Sequence, residues 1–303
     1  MRYGYVQGIR EPISRCVLGT SAIRDGSAHR ILDAFFEAGG SCIDTARFYG
    51  GGRCEVEVGT WIRRAKPDRL CILAKGAHPP NCRPSAVASD LSQTLDALGV
   101  ETVDLYLLHR DDPSIPVDEF VDALDAEVAA GRVRACGASN WQRGRLEQAN
   151  SYAALRGRAG MVAWSNHLSL AEPVEPLYEG CEAVSCQDRR YLETANVALF
   201  PWSSQARGFF ASVPPESLDP NVWRCWGMPD NYARRDRARR LAADLGVRPI
   251  NVALAFVLNQ PFPTFPIIGP RSTEELSIAL EGVDLTLDSD QLRWLELGDV
   301  RAA

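Results

Sequence analysis

The stretch LCILAKGAHPPNCRPSAVASDLSQTLDALGVETVDLYLLH, residues 70–109, reads as strand, helix, strand. Its ends, 70–75 and 103–109, are short apolar runs of the kind a buried parallel strand requires. Between them, 84–98 places apolar residues three and four apart, opens on Pro84 and stops at Gly99, the marks of a helix packed along one face. Two strands joined by a helix at this length form a parallel crossover unit.

The same rhythm extends in both directions. CVLGT at 16–20 and SCID at 41–44 precede the unit; VRACGAS at 133–139, GMVAWSN at 160–166, NVALFPW at 196–202 and TFPIIG at 264–269 follow it. Helical spacing recurs at 27–38, 117–130 and 143–155, with Gly39 and Gly131 as further stops. Eight candidate strands favour a closed barrel over an open doubly wound sheet. The expectation is one domain over 1–303, a (β/α)8 TIM barrel with a short N-terminal hairpin and an extra C-terminal helix near 288–297. Residues 207–230, rich in Pro, Trp and Phe, break the rhythm and read as a long loop after the seventh strand. Helical stretches near 231–245 and 249–259 come next.

Composition narrows the function. A 46% hydrophobic content over 303 residues suits one large core, and a net charge of −6 offers no footprint for nucleic acid. The arginines near 232–240 are interleaved with Asp236 and alanines, as on a solvated helix face. Nine cysteines occur singly, with no C-x-x-C and no Cys/His zinc spacing, so no metal site is expected. Cys42, Cys71 and Cys136 lie in apolar runs, which fits reduced thiols and a cytoplasmic protein. The opening MRYGYVQGIREPISR is charged and no run of 18 apolar residues occurs, so neither secretion nor a membrane partner is expected.

Barrels of this kind carry reactive groups at the C-terminal ends of their strands. Asp44, Lys75 and His109 each end an apolar run, and Tyr49 follows Asp44 in the turn RFYGGGR. Lys75 stands out because Lys66 and Lys75 are the only lysines among 33 Lys and Arg residues. Lysine offers a compact charge with a tunable pKa, and a buried ammonium needs a counter-ion that Asp44 supplies if the two strands are neighbours. Taken singly, each has a plain reading: Asp44 capping a turn, Lys75 snorkelling, His109 bonded to backbone, Tyr49 anchoring a turn.

In order, spacing and context, the strings IDTARFYGGGRCEVEVG, LAKG, LYLLHRDDP and GRVRACGASNW resemble the aldo-keto reductase family, and the likeness runs from CVLGT to GPRSTEEL. The resemblance implies an NADPH-dependent reductase, with NADH less suited, acting on a small-molecule aldehyde or ketone without a metal. Its catalytic tetrad falls on Asp44, Tyr49, Lys75 and His109. Tyr49 would be the general acid, its pKa lowered by Lys75, while His109 polarises the carbonyl. Ser139 and Asn140 match the pair that holds the nicotinamide carboxamide, and Trp202 the ring stacked on the nicotinamide. Ser203, Gln205 and Arg207 in SSQARG would line the pyrophosphate. Gly269, Arg271 and Ser272 match the segment that grips the 2′-phosphate, and Glu275 and Ala279 positions near adenine.

The chain departs from the family pattern at three places: Ser165 stands where a Gln is usual, Ser203-Ser204-Gln205 replaces Ser-Pro-Leu, and Ala279 replaces an Asn. The substrate walls expected from the sequence are Trp141 and residues 209–228 with Trp223 and Trp226. Two rival readings are a cofactor-binding regulatory subunit with little turnover and a Schiff-base barrel enzyme using Lys75.

Overall fold

The computed structural model describes residues 1–298; residues 299–303, the end of the expected single-domain span, lie outside the described residues. Eight parallel strands form the sheet and follow one another around it in chain order, the last lying beside the first. They are β3 (Val17–Gly19), β4 (Cys42–Asp44), β5 (Cys71–Gly76), β6 (Val103–Leu108), β7 (Val133–Ser139), β8 (Met161–Ser165), β9 (Ala198–Leu199) and β10 (Ile267–Ile268). Each falls within one of the eight apolar runs, give or take a residue at its ends. Closure between the last two is made by a parallel bridge from Leu199 to Thr264 and by the Ile267 amide donating to Pro201 O at 2.9 Å. An antiparallel hairpin of β1 (Tyr3–Gly4) and β2 (Ile13–Ser14) precedes the barrel. Its Val6 and Ile13 join the interior cluster with Val17, Cys42 and Cys71, closing the mouth where the strands begin.

The wall is built by α1 (His29–Glu37), α2 (Arg53–Ala65), α3 (Pro84–Leu98), α4 (Val117–Ala129), α5 (Arg143–Leu155) and α6 (Cys186–Leu192). After β9 come α7 (Pro220–Trp226), α8 (Pro229–Leu245), α9 (Pro249–Leu258), α10 (Thr273–Glu281) and α11 (Ser289–Leu297). Proline occupies the first turn of α3, α7, α8 and α9, where its missing N–H costs no hydrogen bond. The expected stops Gly39, Gly99 and Gly131 all lie at positive φ, between 70° and 84°.

Helices α2, α6 and α7 are not among the expected ones. The 207–230 segment contains α7, capped by Asp219 accepting from the Asn221 amide, and seven residues are too few to display a helical period. Helix α2 starts in CEVEVG, whose strict alternation resembles a strand; the helix buries Cys54, Val58 and Trp61 on one side.

Side-chain parity along the strands positions everything that follows. Leu73, Leu105, Leu107, Ala135, Ala163, Ala198, Phe200 and Ile267 share the barrel interior, while Ile43, Ile72, Tyr106, Leu108 and Trp164 face the helices. Gly137 belongs to the inward set: it pairs with Leu107 and Ala163, and a Cβ there would lie 2.2 Å from Ala163 O. The two backbones approach too closely for any side chain. Gly137→Ala is expected to cost about 1–3 kcal/mol through overpacking, read as a lowered urea midpoint with an unchanged m-value.

Candidate active site

Continuing the inward parity by one more step past each interior residue names the site. From Leu73 it reaches Lys75, from Leu107 His109, from Gly137 Ser139, from Ala163 Ser165, from Phe200 Trp202, and from Ile267 Gly269; from Cys42 it reaches Asp44. The parallel register sets Asp44 beside Leu73 and Lys75 beside Leu107, so successive strands present these groups at one rim. Tyr49 arrives from the turn after β4, where Gly50 and Gly51 adopt left-handed backbone that lets the chain reverse over the rim.

Lys75 Nζ makes a direct hydrogen-bonded ion pair with Asp44 Oδ1, and both residues are buried. The Tyr49 hydroxyl donates to the other carboxylate oxygen, Oδ2, at 3.2 Å. Lys75 Nζ lies 5.7 Å from the centre of the Tyr49 ring, which itself meets the His109 ring edge to face at 5.8 Å. The structure therefore brings all four residues together, with Asp44 rather than Lys75 as the partner of the phenol.

Burial lowers the Lys75 ammonium to about 7, with the charge of Arg110 acting in the same direction. Direct contact with Asp44 opposes that shift, since a carboxylate partner favours the charged form. Burial raises the Tyr49 phenol to about 12; the Arg110 charge opposes this, and Cys54 and Cys181 add to it. The expectation of a lowered phenol pKa is thus corrected for this state of the protein, because desolvation outweighs the charge of Arg110. His109 is pushed well below its ordinary value by burial, then by Lys75, Arg110 and His78, so its ring is neutral. Its Nδ1 is buried without a partner.

Arg110 is the site residue with no distinguishing mark in the sequence, since arginine is this chain's default cation. It is only 9% exposed. Its guanidinium donates to His109 O at 2.8 Å and to Cys181 Sγ at 3.3 Å. His78 was equally unmarked: it stacks on exposed Phe48 at 3.8 Å and meets His109 edge to face at 4.9 Å.

On the cofactor-matched side, Ser139 Oγ donates to Ser165 O at 2.8 Å, and Asn140 Nδ2 donates to Ser139 Oγ at 3.0 Å. Ser165 Oγ donates to Phe200 O at 2.8 Å, and the acceptor left without a partner is Asn166 Oδ1. Trp202 is half-buried, and its Nε1 is likewise unpartnered. After it, Ser203, Ala206 and Arg207 all take left-handed backbone at φ 46–52°, which is strained for residues with a Cβ. Ser204 Oγ steadies this loop by donating to Pro201 O, as Gln205 Nε2 does to Ile250 O, while Arg207 donates to the Tyr178 hydroxyl. Arg271, at the start of α10, is forked onto Glu275, and the Ser272 hydroxyl caps the helix by accepting from the Glu275 amide at 3.1 Å. Gly269 is open on its side-chain face, and Ala279 is buried on α10.

The aromatic residues separate into three roles. Trp141 is fully buried, edge to face with Phe120, and its indole donates to Arg110 O at 3.1 Å. Trp223 packs with Phe209 and Tyr232 around the Arg235 guanidinium. Trp226 lines a cavity of about 270 Å³ together with His167, Trp202, Cys181 and the 173–177 loop. Among the described residues, no group of three or more His, Cys, Asp or Glu side chains could hold a metal, and no single helix is long and apolar enough to cross a membrane.

Residues 16–296 match the sequence model of the aldo/keto reductase family. An uncharacterized oxidoreductase of Bacillus subtilis (strain 168) is 29% identical, with 97% of this chain and 95% of that protein covered. The aryl-alcohol dehydrogenase [NADP(+)] of Phanerodontia chrysosporium is 25% identical, covering 91% and 77%. The crystal structure of a thermostable aldo-keto reductase superposes with a TM-score of 0.77 at 24% identity, over 98% of this chain and 99% of that one.

The buried His167 generates a stability prediction. Burial lowers its pKa to about 3, against about 6.5 in an unfolded chain. Its neutral ring contributes stability fully above the unfolded value, and this is lost as pH falls toward the folded value, because the unfolded chain binds the proton first. Between those limits the loss is roughly 1.4 kcal/mol per pH unit. Denaturant titrations from pH 7 to 4 should show a shallower acid slope for His167→Gln than for the wild type.

Proposed function

Because the chain belongs to the aldo/keto reductase family, we propose that it reduces an aldehyde or ketone to an alcohol with NADPH, NADH serving less well, and that Tyr49 delivers the proton. The observation that carries this reading is the hydrogen-bonded run from Tyr49 through Asp44 to Lys75 beside the neutral ring of His109. NADPH, when bound, supplies the hydride that goes to the carbonyl carbon.

The residues available for NADPH fit it in kind. Among the buried polar atoms near the rim without a partner are the donor Trp202 Nε1 and the acceptor Asn166 Oδ1. Ser139, Asn140 and Ser165 would flank the nicotinamide, with Trp202 against its ring. Ser203, Gln205 and Arg207 would present the strained loop to the pyrophosphate. Arg271 and Ser272, with Gly269, would take the 2′-phosphate at the start of α10, the phosphate replacing Glu275 in the arginine fork; Glu275 and Ala279 would lie by the adenine. The NADP(+) in the name of the Phanerodontia relative supports the same choice.

Tyr49 is fully protonated at neutral pH, so the proton is on its hydroxyl when a carbonyl arrives. As that proton leaves, the charge on the phenolate oxygen is met by Lys75 and Arg110, both of which lie close enough to act on the rim. His109, uncharged, orients the carbonyl oxygen by hydrogen bonding. A Schiff-base role for Lys75 would need an amine free of its partner, and the direct contact with Asp44 keeps it engaged. A purely cofactor-sensing role would not require Tyr49, Asp44 and Lys75 to be joined in this way. Nine unpaired cysteines suit the cytoplasm as the working compartment.

Tyr49→Phe is expected to abolish NADPH-linked carbonyl reduction while leaving NADPH binding, followed by protein fluorescence, within about threefold; retained turnover excludes the assignment. Arg271→Ala is expected to weaken NADPH by about tenfold or more and NADH little, since the fork meets only the 2′-phosphate. Equal losses for both cofactors would remove that contact.

A further inference from the structure

Arg110 is a buried cation with no counter-ion. Among the described residues no carboxylate lies within ion-pair distance of it, and the acids around it are engaged elsewhere. Asp44 holds Lys75 and Tyr49, Asp111 takes Arg145 through both oxygens at 2.9 Å, and Glu182 accepts from Gln142. Two of the five guanidinium donors are placed, on His109 O and Cys181 Sγ. A buried charge left in this state is costly unless something that binds completes it.

The space beside it has the same bias. Cys181, which touches the guanidinium, also lines the cavity of about 270 Å³. On that cavity's wall Trp202 Nε1 and Trp226 Nε1 are buried without acceptors, and an indole N–H can only donate. Of the two glutamates on the same wall, Glu175 is tied to Arg224 at 2.7 Å and Glu182 accepts from Gln142 at 3.4 Å. The positive charge reaches the reacting groups too, since Arg110 acts on Tyr49, Lys75 and His109 alike. The cavity wall thus carries two unpaired indole donors, and Arg110, in contact with Cys181, is a cation without a carboxylate partner close to the reacting groups.

We propose that the carbonyl substrate is an oxo acid, its carboxylate taken by Arg110 while its carbonyl lies against Tyr49 and His109. This rests on the reductase reading above and deepens it. The carboxylate does not react; it completes the buried charge and fixes which end of the molecule meets the phenol. A planar guanidinium suits a planar carboxylate better than a lysine would.

The test compares acids with their own methyl esters at pH 7: benzoylformate, and 4-carboxybenzaldehyde, each with NADPH in excess. Wild type is expected to favour the acid in at least one pair by about tenfold or more in kcat/KM, mostly through KM. Arg110→Met is expected to bring that ratio close to one, with Arg110→Lys between. A wild type that prefers the ester in both pairs overturns the proposal, as does an Arg110→Met variant that loses acid and ester equally, the result for an arginine that only positions His109. If Arg110→Met fails to fold by circular dichroism, the Arg110→Lys ratio decides, an unchanged value counting against. Quenching of tryptophan fluorescence by oxamate, with NADP+ present, gives a readout free of turnover. Oxamate bound by wild type and at least tenfold more weakly by Arg110→Lys supports the carboxylate site even if no carbonyl is reduced, which would sink the reductase reading alone; no binding by wild type counts against the site.

Discussion

A carboxylate and an ammonium, both out of reach of water, meet at the top of this barrel, and much of the rim is arranged around them. Neither Asp44 nor Lys75 could be buried alone, because removing a charge from water costs more than packing returns. Together they require β4 and β5 to hold one register, since a slip of one residue would turn Lys75 outward among the helices. The second oxygen of the same carboxylate fixes the Tyr49 hydroxyl, which in turn sets where the Gly-rich turn crosses the mouth. One ion pair therefore ties strand register to loop position, and through both to chemistry.

The barrel was legible because eight apolar runs separated by helical spacing admit few arrangements, and each run contains a strand in the structure. Lys75 was legible for a compositional reason, as one of two lysines in an arginine-rich chain. What period counting could not supply was context. Helix α7 is too short to show a repeat, and CEVEVG alternates as a strand would although it coils. Arg110 looked like any other arginine, and its burial follows only from the fold placing Cys181 and the backbone of His109 around it. The lowered phenol pKa attached to Tyr49 by family likeness also missed the local balance, where desolvation prevails.

Inward parity is the rule that unites the strand-borne part of the site. Residues two positions beyond the last interior residue of each strand are the ones that surface at the rim, whether they are charged like Lys75, small like Ser139 or aromatic like Trp202. One of the departures from family pattern obeys it as well. Ser165 keeps the inward position but closes a hydrogen bond to Phe200 O, a satisfied group where a longer amide would have reached outward.

The cysteines of the chain, read first as a sign of compartment, have a practical side. Seven are buried, and desolvation holds several of them, Cys16 and Cys82 at about 12 among them, far from the thiolate form that reacts. Cys181 is half-covered against Arg110. Cys186, at the first turn of α6, is the exposed one. The protein thus comes with a built-in handle: a maleimide dye or a surface tether under mild conditions has one preferred point of attachment, on the outer wall of the barrel.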